Sequence, residues 1–424
     1  MLALVSPRDP DYRDRLAALA RRTADMPPEV EAAARVIVAE VRKRGDAAVI
    51  ALTERFEKRT LARLELDATE WDKQAATVKP SVRAALELAA RRIRAFAEAE
   101  RPHAPTSFEY EQDGITLGSR VTPLHRVGIY VPGGTALYPS TVLMTAIPAR
   151  VAGVSEIIMV TPGPSPEALC AARLAGVDRV FVIGGAQAIA ALAYGTESVP
   201  RVDKIVGPGN AYVTAAKRIV FGDVGIDSIA GPTEVVIACD GSVAPEWVAA
   251  DLLAQAEHDV LAAPILVAVG RSIADAVNQA LALQLEKLPR KAIAARAIAD
   301  HGLAIVVDSP EAAIKVVNDL APEHAEIILV DARRHAQGVS TAGAVFIGRH
   351  TPESVGDYVA GPSHVLPTGG SARFSSPLGV ADFLKRSSII EYSEAALLEQ
   401  ADAIEAIAYV EGLHAHGLAV TVRR

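Results

Sequence analysis

The sequence predicts an α/β protein with two Rossmann-like parallel-sheet domains and small helical segments at both ends. Short β-branched runs alternate with helical patterns along most of the chain, as in parallel βαβ units. Nearly all of the earlier runs stop at Gly or Pro, where a strand gives way to a loop. With 424 residues, the chain is too long for one ordinary core, so at least two domains are expected.

The first hundred residues have a helical pattern. Residues 1–24 are short and charged and predict a helical arm. Beyond Pro28, apolar residues recur at helical spacing through Val36, Ile37 and Val41, and residues 82–96 repeat the pattern. No β-branched run interrupts this region before about residue 100.

Two series of apolar runs then predict strands. The first series comprises 127–131, 157–160, 180–183 and 204–206, and the second comprises 235–238, 265–269, 303–307, 327–330 and 344–347. We therefore predict a nucleotide-binding α/β domain over 129–235 and a discontinuous α/β domain over 25–128 and 236–375. Residues 376–424 predict a helical segment that buries little alone and docks elsewhere, for example on a second subunit.

Composition narrows the functional class. The formal net charge of −8 argues against a nucleic-acid partner, which requires a concentrated basic surface. Two cysteines, Cys170 and Cys239, cannot build a disulfide framework and are expected to be small buried hydrophobes. No signal-peptide pattern and no apolar stretch of membrane-spanning length is found, so we expect a cytoplasmic protein with no membrane partner.

Glycine-rich turns follow three strands of the first series. They are Pro132-Gly133-Gly134, Gly184-Gly185-Ala186-Gln187 and Gly207-Pro208-Gly209-Asn210. None is a dinucleotide fingerprint or a Walker loop, so plain tight turns and a nucleotide site both stay open. In the second case Tyr130, Gln187 and Asn210 are placed to hydrogen-bond a ribose or a nicotinamide amide.

A candidate metal site is spread over the second half of the chain. Gln255 and His258 are three residues apart in a helical pattern and share a face, although such a pair is also common on wet helix surfaces. Asp357 follows Ser354-Val355-Gly356 in what is expected to be a loop, and His416 lies near the end. Two nitrogens and two oxygens suit Zn²⁺, or Co²⁺ or Mn²⁺.

A candidate acid–base pair, Glu323 and His324, follows Pro322. The pair lies just before a predicted strand. On an extended chain adjacent side chains point to opposite sides, whereas on a helix start they diverge by about 100° and can border one cleft. Histidine is the natural base for an alcohol proton near neutral pH, and a neighbouring glutamate can activate water. A capping glutamate beside a surface histidine is the alternative reading of the same two residues.

The candidate metal and acid–base residues fall within eight motifs. Through these motifs the chain resembles the histidinol dehydrogenase family from near Met1 to Arg424. The matching stretches are Gly128–Gly134, Val206–Asn210, Ala230–Glu234, Gln255–His258, Ala321–His324, Pro352–Asp357, His364–Thr368 and Glu411–His416. Eight motifs in the right order along nearly the whole chain make the resemblance highly specific.

The resemblance implies oxidation of L-histidinol through L-histidinaldehyde to L-histidine, with one NAD⁺ consumed at each of two steps. It implies a homodimer whose C-terminal segment crosses to the partner. It implies Zn²⁺ on Gln255, His258, Asp357 and the other subunit's His416, and NAD⁺ near Tyr130, Gln187 and Asn210. The remaining implied pocket residues are Thr233, Glu323, His324, Glu353, His364 and Glu411.

One position departs from the commonest family pattern, because Thr233 stands where serine is frequent. The hydroxyl is retained, so little loss of function is expected. Two alternatives stay open: a related metal- and NAD-dependent dehydrogenase of another polyol or amino alcohol, and a non-catalytic metal-dependent binding protein. Acidic Glu353 and Glu411 disfavour an anionic substrate, and the intact Glu323–His324 pair disfavours a non-catalytic protein.

Overall fold

The computed structural model describes residues 1–21, 26–133 and 138–424. The strands are β1 (Ala3–Val5), β2 (Phe108–Gln112), β3 (Ile115–Pro123), β4 (Arg126–Tyr130), β5 (Glu156–Val160), β6 (Arg179–Phe181), β7 (Lys204–Val206), β8 (Gly225–Ile226), β9 (Glu234–Cys239), β10 (Ala263–Val269), β11 (Leu303–Val307), β12 (His324–Ile328), β13 (Ala344–Ile347) and β14 (Leu384–Tyr392). They form two parallel sheets and one antiparallel sheet, which confirms the predicted α/β class.

Helices cover both parallel sheets. They are α1 (Tyr12–Arg21), α2 (Pro28–Arg44), α3 (Asp46–Glu57), α4 (Ala68–Ala76), α5 (Pro80–Glu100), α6 (Pro139–Ala152), α7 (Pro166–Ala175), α8 (Gly185–Tyr194), α9 (Ala211–Val220), α10 (Pro245–Ala256), α11 (Arg271–Leu285), α12 (Lys291–His301), α13 (Pro310–Leu320), α14 (Ala332–Ala336), α15 (Glu353–Tyr358), α16 (Glu394–Val410) and α17 (His414–Thr421). Among the described residues, no helix has the length and apolar character needed to span a bilayer.

The five-stranded sheet has the order β6-β5-β4-β7-β8 and is parallel throughout. Alternate residues of β5 face opposite cores: Ile157 packs with α4 to α7, and Ile158 packs with α2, α3 and α8. Both faces of the sheet are therefore buried, which explains why its strands are nearly continuous apolar runs.

The packing of helices α2 to α5 differs from the predicted division into domains. Ile37 of α2 packs against the α8 and α9 side of the five-stranded sheet, and Trp71 of α4 donates its indole N–H to the carbonyl of Leu169 at 2.8 Å. Residues 25–128 therefore do not form one unit with 236–375. The apolar faces of these helices bury against the nearer sheet, a choice that periodicity alone cannot make.

The six-stranded sheet has the order β1-β11-β10-β9-β12-β13 and is also parallel. Its edge strand β1 was not predicted, because residues 1–24 were expected to be a helical arm. Leu2 and Val5 are buried, and residues 3–5 pair with 303–305, so burial converts this short apolar run into a strand. Residues 22–24 of the predicted arm lie outside the described residues, as does Gly134.

The third sheet joins distant parts of the chain. Strand β3 pairs antiparallel with β2 on one side and with β14 on the other, and the β3–β14 ladder runs through nine residue pairs. The expectation that residues 376–424 are helical is therefore wrong for 384–392. Polar Lys385 to Ser388 carry little strand signal, and the unpaired edge of β3 supplies the partner.

Candidate active site

The predicted acid–base pair lies at the amino ends of two adjacent strands of the six-stranded sheet. Strands β9 and β12 are neighbours, with His324 opposite Val235 in the parallel register. Thr233 and Glu323 occupy the positions just before these strands. Strand β12 begins at His324, three residues earlier than predicted, so of the two conformations considered after Pro322 the extended one is found and the helix start is not. Pairing with β9 on one side and β13 on the other holds this segment extended.

Glu323 is buried and hydrogen-bonded to β9. Its Oε2 accepts from the Thr233 hydroxyl at 2.6 Å and from the backbone N–H of Glu234 at 3.1 Å. Burial raises the pKa of this carboxyl to about 8, and the two hydrogen bonds oppose that rise. A carboxyl with a pKa near neutrality is suited to take a proton from water.

His324 is buried beside two carboxylates. Its Nδ1 lies 3.1 Å from the carbonyl oxygen of Glu234 and 3.8 Å from carboxylate oxygens of both Glu323 and Glu353. A carbonyl only accepts, so this contact assigns the hydrogen to Nδ1 and leaves Nε2 as the basic nitrogen. Burial lowers the pKa of His324, which keeps the imidazole neutral and able to act as a base.

Gln255 and His258 come from the end of α10. The helix stops at Ala256, two residues short of the predicted helical position for His258, but the His258 N–H still bonds the Gln255 carbonyl at 3.2 Å. The Gln255 side chain is fully buried, and its Nε2 lies 2.6 Å from the Thr233 hydroxyl. His258 is exposed.

Glu353 and Asp357 lie one turn apart on the short helix α15, so the loop expected around Asp357 is a helix. Glu353 is buried, whereas Asp357 is partly exposed. One ligand atom each from His258, Glu353 and Asp357 lie within 4.8 Å of one another. Imidazole and carboxylate donors at this separation can surround one cation.

The Gln255 amide links the two carboxyl-bearing elements of the site. With its Nε2 toward Glu353, the amide donates to a Glu353 oxygen at 2.5 Å and its Oε1 accepts the N–H of Glu234 at 2.7 Å, so all of its polar atoms are satisfied. In either orientation the amide lies 2.6 Å from the Thr233 hydroxyl. Within the described chain, the groups that shift the pKa values of Glu323 and Glu353 include no lysine or arginine.

His364 reaches the same region from a different part of the fold. Its Nε2 lies 3.1 Å from the hydroxyl of Thr141 in α6, and its N–H points at the sulfur of Met144. Burial lowers its pKa, and the nearby Asp357 carboxylate opposes the shift. Helix α6 belongs to the five-stranded sheet, so this contact ties the two parallel-sheet regions together beside the site.

Glu411 and His416 are not brought to this cluster within one chain. Glu411 follows α16 and His416 lies in α17, and both side chains are exposed. These two helices pack mainly on each other. The group of metal-ligating atoms that includes His258 does not contain His416 of the same chain.

Tyr130 is the last residue of β4, and Gln187 and Asn210 come shortly after β6 and β7, so all three belong to the carboxyl edge of the five-stranded sheet. The Tyr130 hydroxyl accepts the N–H of Gly185 at 3.1 Å, and Gln187 donates to Glu57 at 3.3 Å. Asn210 caps α9 by accepting from two backbone N–H groups. Burial raises the pKa of Tyr130 to about 12, so its phenol keeps a hydrogen for donation to a ligand.

Sequence reasoning missed several polar residues that build the site. Glu234 begins β9, and its Oε1 accepts the N–H groups of Glu323 and Gly369 at 3.3 and 2.9 Å. Glu326 follows His324 by two residues, and Asp251 precedes Gln255 by four. A glutamate inside the apolar run from Ala325 to Val330 was the available signal, because an unpaired charge is rarely buried in a strand.

Comparisons with known proteins agree with the motifs. A family model described as histidinol dehydrogenase matches residues 19–424. The chain is 53% identical to the histidinol dehydrogenase of Ralstonia nicotianae over 93% of this chain and 91% of that one, and 50% identical to that of Cupriavidus pinatubonensis over 98% and 95%. The crystal structure of histidinol dehydrogenase from Elizabethkingia anophelis matches with a TM-score of 0.90 and 34% identity, covering 100% of this chain and 98% of that chain.

Proposed function

The chain belongs to the histidinol dehydrogenase family, and we propose that it carries out the four-electron oxidation of L-histidinol through L-histidinaldehyde to L-histidine, reducing two NAD⁺. This would complete histidine biosynthesis, in the cytoplasm. The observation that supports the proposal most directly is the placement of buried Glu323 and His324 beside the His258, Glu353 and Asp357 cluster. With the roles proposed below, a base, a water-activating carboxyl and a cation site would lie next to one another.

We propose that Gln255, His258 and Asp357, with His416 of the partner subunit, hold Zn²⁺. When bound, the ion would supply Lewis acidity and a fixed anchor for substrate nitrogen and oxygen, since zinc itself has no redox chemistry. Thr233 would orient Gln255 through the 2.6 Å contact between its hydroxyl and the amide. The chain's own oxygens and nitrogens form a donor set suited to this ion.

NAD⁺ is proposed to lie at the carboxyl ends of the five-stranded sheet, against Tyr130, Gln187 and Asn210. When bound, it would accept hydride. Ligands of open parallel sheets bind at this end of the strands, and the protonated Tyr130 phenol is a donor for a ribose or amide oxygen. The hydrogen bond from Gly185 to Tyr130 fixes the ring against the glycine turn.

The proton chemistry is assigned to the buried pair. The neutral His324 imidazole would take the hydroxyl proton of the alcohol at Nε2, with Nδ1 held by the carbonyl of Glu234. Glu323 would take a proton from the water that attacks the aldehyde. Its hydrogen bonds to Thr233 and Glu234 stabilise the ionised form that this role needs.

The substrate is proposed to contact acidic and imidazole groups around the cation site. L-histidinol carries an ammonium group, which suits Glu353, His364 and the partner's Glu411. Thr233, Gln255, His258, His324, Asp357 and the partner's His416 would complete the pocket. The carboxylates gathered around His258 and His324 favour a cationic alcohol over an anionic one.

We propose that the segment 376–424 of each subunit completes the other's site in a homodimer. Ile407, Val410, Leu418 and Val422 are all more than half exposed, an apolar surface on α16 and α17 that the chain leaves uncovered. A partner subunit would cover it, as expected for a segment that packs mainly on itself within its own chain.

The reaction is tested by counting NADH. Purified protein with Zn²⁺, NAD⁺ and limiting L-histidinol should yield about two NADH per alcohol, consistent with two hydride steps. A chelator and His324→Ala should each abolish turnover, whereas Lys385→Ala, on exposed β14, should leave it unchanged. One NADH with accumulating aldehyde would contradict the role of Glu323, and no NADH from the zinc-loaded dimer would contradict the substrate.

Subunit exchange tests the shared site. Dimers of His416→Ala and dimers of Asp357→Asn should each be inactive. When the two variants are mixed and re-associated, half of the dimers are mixed and each mixed dimer holds one intact site, so about a quarter of wild-type activity should return. If His416 acts within its own chain, the mixture stays inactive.

A further inference from the structure

A second layer of carboxyl groups lies beneath the candidate active site. Asp251 precedes Gln255 by one turn of α10, and Glu353 precedes Asp357 by one turn of α15. Glu326 follows His324 by two residues of β12, so both side chains point to the same face of the sheet. Each of the three elements that carry site residues therefore also bears a carboxyl group one turn or two residues earlier or later in the chain.

Glu326 connects two of these elements directly. It is completely buried, and its Oε1 accepts the backbone N–H of Glu353 at 2.7 Å. That N–H belongs to the first residue of α15, and no side chain caps the helix because Pro352 precedes it. Glu326 thus serves as the missing cap and fixes where α15 begins.

The side chain of Glu326 also meets that of Asp251 in α10. No group of the described residues donates a hydrogen bond to Glu326 Oε2, although this atom is buried. The Asp251 carboxyl is within hydrogen-bonding reach of Glu326. Burial raises the pKa of Asp251 to about 6, and burial together with repulsion from Asp251 raises the pKa of Glu326 well above its ordinary value. Asp251 is half-buried and Glu326 is fully buried, and two such carboxyl groups in contact are stable when one carries a proton and donates it to the other.

We propose that Asp251 and Glu326 form a carboxylic acid–carboxylate hydrogen bond that joins α10 to α15 across β12, and that both are positioning residues for Gln255, His258 and Asp357. This inference rests on the proposed metal site. Glu326 accepts from α15 with one oxygen and donates to α10 with the other, so the spacing between the two helices is set by one rigid side chain. Neither residue is assigned contact with substrate or cofactor.

Two substitutions separate this role from a requirement for negative charge. Glu326→Gln keeps an oxygen for the Glu353 N–H and gains an N–H for Asp251, so it reproduces the protonated acid. Glu326→Leu has a similar volume and makes neither bond. Asn278→Leu is the matched control, because Asn278 is buried and bonds the backbone of Leu2, far from the site.

The experiment measures Zn²⁺ affinity of the metal-stripped dimer, the absorption spectrum of the Co²⁺-loaded protein, and kcat and KM separately. Glu326→Leu should bind Zn²⁺ about 10- to 100-fold more weakly and show an altered Co²⁺ spectrum and a lower kcat, as outer residues of metal sites do. Glu326→Gln should stay within about threefold of wild type because both hydrogen bonds survive. Asn278→Leu should lose stability only.

Two results would overturn the inference. If Glu326→Gln loses as much Zn²⁺ affinity as Glu326→Leu, the negative charge matters and the shared-proton bond is wrong. If Glu326→Leu binds Zn²⁺ and turns over like wild type, the pair positions nothing, while the metal site stands. A wild-type dimer without measurable Zn²⁺ affinity would overturn the metal site and this inference together. Should Glu326→Leu fail to fold, Asp251→Ala carries the same expectation.

Discussion

Thr233→Val should raise the pH at which the aldehyde is oxidised. The Thr233 hydroxyl donates to Glu323 Oε2 at 2.6 Å, and this bond favours the ionised carboxylate. Valine keeps the shape and removes the donor. A hydrogen bond to a charged group contributes about 1.5–3 kcal/mol, which corresponds to about one to two pKa units. The substitution should therefore move the pKa of Glu323 upward from about 8.

The size of the effect follows from the ionised fraction. With a pKa of about 8, roughly a quarter of Glu323 is ionised at about pH 7.5; with a pKa one unit higher, about 3% is ionised. Aldehyde oxidation near neutral pH should thus fall about eightfold, and recover at high pH. A bound cation lowers the pKa in both proteins, so the difference between the variants is the quantity to compare.

The assay is single-turnover NADH formation from L-histidinaldehyde between about pH 6 and 10. Thr233→Ser is the control, since it retains the donor and should follow the wild-type profile. If Thr233→Val inflects at the wild-type pH while remaining folded and zinc-loaded, Glu323 is not the group whose ionisation limits this step. The reasoning from the 2.6 Å hydrogen bond would then be refuted.

Three further predictions concern stability. Burial raises the pKa of folded Glu323 from 4.5 to about 8, so this carboxyl contributes stability below pH 4.5 that is lost as the pH rises through 8. Metal-free Glu323→Gln should escape that loss, and near pH 9 its free energy of unfolding in urea should exceed that of the wild type by a few kcal/mol. If the unfolding free energies of the two proteins change in parallel with pH, this prediction is wrong. Zn²⁺ at about a hundred times its Kd should add about 2.7 kcal/mol to the free energy of unfolding, a gain that a chelator removes and Asp357→Asn never shows. Lys217→Met should cost about 3–5 kcal/mol in denaturant unfolding because the buried Asp227 carboxylate loses its ion-pair partner. Adding Asp227→Asn should restore part of the loss, and an additive double variant would argue against the pair.

The parallel sheets could be predicted because β-branched runs, each followed by a helix, leave a strong local signal. The site could not be assembled in this way. Thr233, Gln255, Glu323 and Glu353 are far apart in sequence, and they meet because β9 and β12 are adjacent in the sheet, an order that spacing does not specify. The grouping of these residues in one site was therefore predicted from the family motifs and not from local periodicity.

The errors share one physical cause, which is tertiary context overriding a local pattern. Pro322 is compatible with a helix start, but pairing with β9 and β13 keeps His324 extended. Asp357 lies in the six-residue helix α15, which is too short to show a periodic pattern. The start of this helix is stabilised by the hydrogen bond from the Glu353 N–H to the Glu326 carboxyl on β12. The polar strand 384–392 forms because the β3 edge has backbone groups to satisfy.

The β3–β14 ladder also constrains when the molecule can finish folding. Residues 115–123 pair with 384–392, a sequence separation of more than 260 residues, while β3 leads within a few residues into the five-stranded sheet. During synthesis that sheet can form long before its β14 neighbour leaves the ribosome, so one edge of β3 stays unpaired for most of translation. Nascent chains halted before residue 384 should consequently be prone to aggregate along that edge, and the β3–β14 ladder must be among the last parts of the fold to form.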